Sequence, residues 1–88
     1  MGHKLFKVDI VTPEKTIYSG SGFSLVVPSE SGYLGILADH APLIANIVPG
    51  RIILKKDPIE ALSITVKGKG FIEVLENKVN LLLDSVVS

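Results

Sequence analysis

The side chains with the right chemistry for covalent catalysis cluster in one stretch: Ser29, Ser31, Asp39 and His40. A histidine oriented by a carboxylate can activate a hydroxyl, so these types together suggest a nucleophile, base and orienter. The spacing argues against it. Neighbouring side chains on extended backbone point to opposite faces, so Asp39 and His40 are poorly placed to bond each other, and no GxSxG-type strained turn surrounds either serine. A turn-capping Asp39 and a surface His40 fit the pattern better. Metal chemistry has little to work with, because His3 and His40 are the only imidazoles, cysteine is absent, and no ligand pair has the spacing of a zinc or calcium site. Gly68, Lys69 and Gly70 hold a lysine between glycines, but a phosphate loop needs four residues between its glycines and a helix after them. A tight turn between strands is expected there instead, with no catalytic residue, cofactor or metal anywhere in the chain.

The elements that would position these residues read as strands. From Leu5 to Val11 the pattern has period two, with Phe6, Val8 and Ile10 on one face and Lys7 and Asp9 on the other. Thr12 and Pro13 end that strand, Lys15 to Ser19 begins its hairpin partner, and Gly20, Ser21 and Gly22 punctuate the chain. Phe23, Leu25 and Val27 alternate next, followed by an expected loop from Pro28 to Gly32, a short apolar run from Leu34 to Leu37 and a turn from Asp39 to Pro42. Leu43 to Val48 is almost wholly apolar, either a strand covered on both faces or an interface edge, and Pro49 with Gly50 closes it. Leu62, Ile64 and Val66 alternate, as do Ile72 and Val74, and the Gly68 to Gly70 turn between them suggests two hairpin partners. The last segment fits helix or strand. Glu76, Asn77 and Lys78 interrupt a helical window, so a strand is expected. Many short strands separated by turn residues indicate an all-β antiparallel sandwich or barrel.

With 88 residues there is room for one core and one domain, spanning 1–88. Apolar residues at 47% against charged ones at 20% are far from the balance of a disordered chain. Nine basic residues offset nine acidic ones, which leaves no electrostatic footprint for nucleic acid or an anionic membrane surface. A partner must be found by shape and apolar contact. The longest apolar stretches, about five residues, fall far short of the roughly 20 that span a bilayer, and Met1 to Lys7 lacks the apolar core of a signal peptide. Any membrane link is therefore expected to be peripheral. Tyr33 and His40, amphipathic residues in the loop-rich stretch Ser29 to Leu43, are the better interface candidates.

The string from Gly32 to Leu43, GYLGILADHAPL, resembles the LGI and HAPL signature of the epsilon subunit of F-type ATP synthases, called delta in mitochondria. VDIVTPEK at residues 8–15, the Pro49 and Gly50 turn, GFIEV at 70–74 and NKVNLLLDS after it stand in the same order as in that family. The resemblance covers essentially the whole chain. It implies a flattened antiparallel β-sandwich of about ten short strands, in a non-catalytic subunit at the foot of the rotor. The implied partners are the gamma subunit, the polar loops of the membrane c-ring and the other head subunits of the complex, with membrane contact only through the ring. It would place the subunit peripherally on the cytoplasmic face of a bacterial plasma membrane, or the stromal face of a thylakoid. Carried over by position, the ring contacts fall on Glu30, Ser31, Gly32 and Tyr33, and the gamma-facing positions on Thr12, His40 and Ala45. Ile44 and Ile47 join the gamma set if the apolar strand lies against that subunit; alternation leaves open which of the two faces out.

Two departures from the family pattern matter. Many members have glutamate where this chain has Tyr33, so an ionic ring contact passes to Glu30 or is replaced by stacking of Tyr33 on an arginine. Members commonly continue into a two-helix segment that restrains hydrolysis and in some binds ATP, whereas the sequence stops at Ser88, so neither property is expected of it. The competing assignments are an unrelated β-sandwich module binding a peptide or ligand through Ser29 to Pro42, and a small hydrolase.

Overall fold

A computed structural model describes residues 4–87 and is built of strands throughout. His3, one of the two imidazoles, lies outside the described residues. The strands are β1 (Phe6–Val11), β2 (Thr16–Gly22), β3 (Ser24–Ser29), β4 (Gly32–Ile36), β5 (Leu43–Ile47), β6 (Gly50–Lys55), β7 (Ala61–Val66), β8 (Gly70–Leu75), β9 (Lys78–Leu83) and β10 (Val86–Val87). They form one curled sheet in the order β10-β7-β6-β3-β5-β8-β9-β1-β2, with β4 attached to β3. The sheet turns its corner where Ser29 pairs with Ile47 and the Val48 N–H donates to the Pro28 carbonyl (3.1 Å). One half is then β5-β8-β9-β1-β2 and the other β4-β3-β6-β7-β10.

Alternation decides what lies between the halves. Phe6, Val8 and Ile10 of β1, Ile72 and Val74 of β8, and Val79, Leu81 and Leu83 of β9 point inward from one half. Leu25 and Val27 of β3, Ile52 and Leu54 of β6, and Ile64 and Val66 of β7 point inward from the other. All are essentially inaccessible to water, and burying each such side chain contributes about 1.5–3 kcal/mol. The Glu76–Asn77 turn joins β8 to β9 with both residues at positive φ (50° and 61°), the backbone that a two-residue hairpin needs to match strand twist.

Several sequence expectations are corrected. Strands β7 and β8 are not hairpin partners: β7 pairs with β6 and β10, β8 with β5 and β9, and the Gly68 to Gly70 segment carries the chain across between the halves. Both strands bury alternate residues in the same core from opposite sides, and alternation by itself does not name the neighbour. Gly20, Ser21 and Gly22 belong to β2, where Gly22 faces inward and a Cβ would approach the Phe6 ring to 2.6 Å. The expected Pro28 to Gly32 loop shrinks to Glu30 and Ser31, since Pro28 and Ser29 stay in β3 and pair with Tyr33 and Gly32. Pro28 has no N–H to donate, and its carbonyl is the one that takes the Val48 N–H at the corner. One pairing is parallel, β1 beside β9, with Val8 opposite Val79. Finally, Ile47 is 1% exposed and belongs to the core, and Ala45 packs inward against the core in register with Ile72. Their side chains are thereby removed from the outer face on which Ile44 stands.

Candidate docking surfaces

Strand register sorts the loops to two ends. The 12–15, 30–31, 48–49, 67–69 and 84–85 connections share one end, and the 37–42, 56–60 and 76–77 connections share the other. At the first end, Lys67 N–H donates to the Ser85 carbonyl (2.9 Å) and Asp84 N–H to the Lys69 carbonyl (2.8 Å), so these connections brace one another.

Glu30, Ser31, Gly32 and Tyr33 are brought together at this first end, all exposed. They form the tip of the β3–β4 hairpin. The Ser29 hydroxyl lies beneath it, donating to the Gly32 carbonyl (2.5 Å) and accepting the Ser31 N–H (3.2 Å). Gly32 has φ near +113°, a conformation that side chains disfavour. Glu30 accepts from the Asn46 amide (3.3 Å), which ties the tip to β5. Tyr33 is 62% exposed, with its hydroxyl against Gly50, where a Cβ would also crowd Pro28 at 2.9 Å. Glycine at 50 thus lets the ring lie over the corner of the sheet.

The second surface is the outer face of β5, β8 and β9. Side chains of paired residues share a face, so Ile44 and Glu73 stand together, as do Phe71 and Leu82, and Leu75 and Lys78. Ile44 is 73% exposed, and Phe71, Leu75 and Leu82 are all well exposed beside it. The result is an apolar strip broken on β8 by Glu73, which stands between Phe71 and Leu75. Thr12 lies at one end of it, in a groove with Phe71 and Leu82, and His40 at the other, in a groove with Pro42 and Leu75. Glu73 begins a polar band that crosses this face. Glu73, Asn80, Asp9 and Ser19 follow one another across four strands, with Ser19 donating to Asp9 (2.5 Å) and Lys78 at 3.9 Å from it. Sequence reasoning named Thr12, His40 and Ile44 on this face but missed Phe71, Leu75 and Leu82. The signal was there, because Phe71 and Leu75 occupy the outward positions of a strand whose inward positions, Ile72 and Val74, are already apolar.

The His40 loop is held from an unexpected direction. Asn77, in the β8–β9 turn, accepts the Asp39 N–H (2.8 Å) and donates to the Leu5 carbonyl (2.9 Å), while its own carbonyl takes the Lys7 N–H (3.1 Å). The Asp39 carboxylate pairs with Lys4, and the His40 Nδ1 donates to the Ala41 carbonyl (2.7 Å). These bonds commit Asp39 and His40 to different partners, and Ser29 is at the far end of the molecule. No Ser, His and Asp are assembled here for acyl transfer. At the same end as His40, Asp57 caps the β6–β7 loop. The Glu60 N–H (2.7 Å) and Ile59 N–H (2.8 Å) hold its carboxyl below the usual carboxylate range, with Lys56 adding to the effect.

A compact strand-only body, with an LGI strand in one half joined by the HAPL connection to a strand of the other, is the geometry of a known domain. The model of the beta-sandwich domain of the ATP synthase delta/epsilon chain matches residues 5–88. The chain belongs to this family. The ATP synthase epsilon chain of Leptospira borgpetersenii is 45% identical over 82 residues, 93% of this chain and 62% of that one. The epsilon chain of Chlorobium limicola is 40% identical over 83 residues, covering 94% of this chain and 93% of its own. The fold overlays that of a chain in the Euglena gracilis mitochondrial ATP synthase structure, containing OSCP, F1 and c-ring, with a TM-score of 0.87 at 15% identity, over 94% of this chain and 52% of that chain. This chain therefore spans about six-tenths of the Leptospira relative, the part that corresponds to the epsilon β-sandwich.

Proposed function

We propose that this epsilon-type domain is a non-catalytic coupling element in the central stalk of a rotary F-type ATP synthase. It links the gamma subunit to the c-ring on the cytoplasmic face of the membrane and helps couple ion flow to ATP synthesis. The apolar strip of Ile44, Phe71, Leu75 and Leu82, running from Thr12 to His40, is the observation that carries this role. A chain with no net charge has little long-range steering, and an apolar outer face on an otherwise closed sandwich is what a lasting subunit contact requires. The gamma subunit is the partner on this face, and the polar loops of the ring meet Glu30, Ser31, Gly32 and Tyr33. These two contacts use different sides of one block, so force applied at the tip reaches the strip through the core. A sandwich suits that task because inner faces packed at crystal-like density resist continuous deformation.

Copurification with gamma from the assembled complex tests the assignment. Glutamate at both Phe71 and Leu82 should release the chain from gamma while leaving its circular dichroism and melting unchanged. Retention of the doubly charged variant in the complex would refute the placement of gamma on this face.

A further inference from the structure

Ser29 is the one buried polar residue among the described residues, 7% exposed two positions after the inward-facing Val27 of β3. Burial of a hydroxyl costs free energy unless its bonds are remade inside the protein, and here both are. The donor goes to the Gly32 carbonyl and the acceptor receives the Ser31 N–H, so one side chain holds the second turn residue and the strand residue that follows it. The β3–β4 turn has only Glu30 and Ser31 between paired Ser29 and Gly32, and Gly32 sits at φ near +113°. Such a short turn has few internal bonds to hold its orientation. Glycine at the adjoining position adds freedom, because it populates both hands of backbone conformation. The bonds from Ser29 remove that freedom from below, and the corner pairing of Ser29 with Ile47 anchors the hydroxyl to the core.

We infer that Ser29 is a positioning residue: its buried hydroxyl fixes the orientation of the Glu30 to Tyr33 tip and so sets the strength of the tip's contact with the ring. This rests on the assignment of the tip to the ring proposed above. Ser29 touches no partner itself. Both of its hydrogen bonds go to the turn, so the hydroxyl is explained by the turn it holds. Ordering the tip before contact removes an entropic cost from binding, and loss of that order lowers affinity without removing any contacting atom.

The test uses the complete synthase complex carrying Ser29→Ala, with gamma retention and gradient-driven ATP synthesis in vesicles read side by side, and Glu30→Ala with Tyr33→Ala as a comparison. Losing the bridge should lower the association of the head and stalk with the ring about fivefold, the effect of roughly one hydrogen bond, and leave gamma retention unchanged. Hydrogen exchange at the Ser31 N–H should quicken. Ser29→Cys, which keeps a donor at that position but a weaker one on a larger atom, should fall between and serves in place of the alanine variant if the latter does not assemble. Weakening of gamma and ring contacts to the same extent would overturn the inference, since a purely structural residue predicts that. Full ring association in the Ser29 variants, with loss in the Glu30 and Tyr33 variant, would also overturn it while sparing the ring assignment. Full association in every variant would refute the ring assignment itself.

Discussion

Ile44 and Ile47 stand three positions apart in one apolar strand, and aspartate at each should produce opposite failures. Ile47 is 1% exposed and faces the core beside the corner, whereas Ile44 is 73% exposed on the outer strip. Truncating a buried isoleucine costs about 2–5 kcal/mol, and aspartate adds the desolvation of a carboxylate with no cation to receive it. A domain of this size has about 4–13 kcal/mol of stability in all, at 0.05–0.15 kcal/mol per residue. Ile47→Asp is therefore expected to be largely unfolded. Ile44→Asp removes little burial from the fold, and a carboxylate at an exposed strand position opposite Glu73 costs about 1 kcal/mol. Its cost appears when a partner covers it. Burying that side chain against gamma is worth about 1.5–3 kcal/mol, so losing it should weaken binding roughly tenfold to 150-fold. Urea melts of both variants and calorimetric titration with gamma read the two quantities separately. An Ile44→Asp variant as unstable as Ile47→Asp, or one that binds gamma at full strength, would refute the assignment of the two faces.

Three further outcomes follow from geometry. Asn77→Ala loses two side-chain bonds and a residue tolerant of positive φ, about 2–3 kcal/mol together, and should melt well below Asn77→Gly, which keeps the turn; thermal unfolding compares them. Gly70→Ala drives its Cβ into the Leu82 carbonyl and against Leu83, so a loss of at least 1–3 kcal/mol (about the cost of overpacking) is expected in denaturant melts. The folded-state pKa of Asp57 lies below its unfolded value, so the stability it contributes is present above the usual carboxylate range and lost as pH falls through the lower, folded value; Asp57→Asn should flatten this acid limb, as seen in pH-dependent exchange of the Ile59 and Glu60 amides.

Much of this architecture is legible from side-chain alternation. Phe6, Val8 and Ile10 declare an inward face, and Glu76 with Asn77 declares a reversal, because local backbone preference and burial act within a few residues. The neighbour of each strand is another matter. Nothing local tells Leu62, Ile64 and Val66 that they lie beside β6 and not β8, since strands of both halves bury the same kind of residue in one core. Likewise Gly20 to Gly22 look like a turn but remain in β2, because Gly22 allows the Phe6 ring to close over it. The tip was found by motif, yet its support was not: the bonds of Ser29 depend on a two-residue turn that the proline before it had disguised as a longer loop. The Asn77 clip spans 72 positions to Leu5, a distance at which sequence pattern carries no signal.

The parallel pairing of β1 with β9 has a bearing on how the chain is made. Val8 and its parallel neighbour Val79 stand near opposite ends of the domain's sequence, so their pairing waits until almost all the strands between them have been made. Until then the first strand has only its hairpin partner on one side, with its other edge open and three aliphatic or aromatic side chains in water. A nascent chain in that state is prone to pair with strangers, and closure of so distant a contact is slow. This small domain is thus closed by a zipper for which its first strand has been waiting.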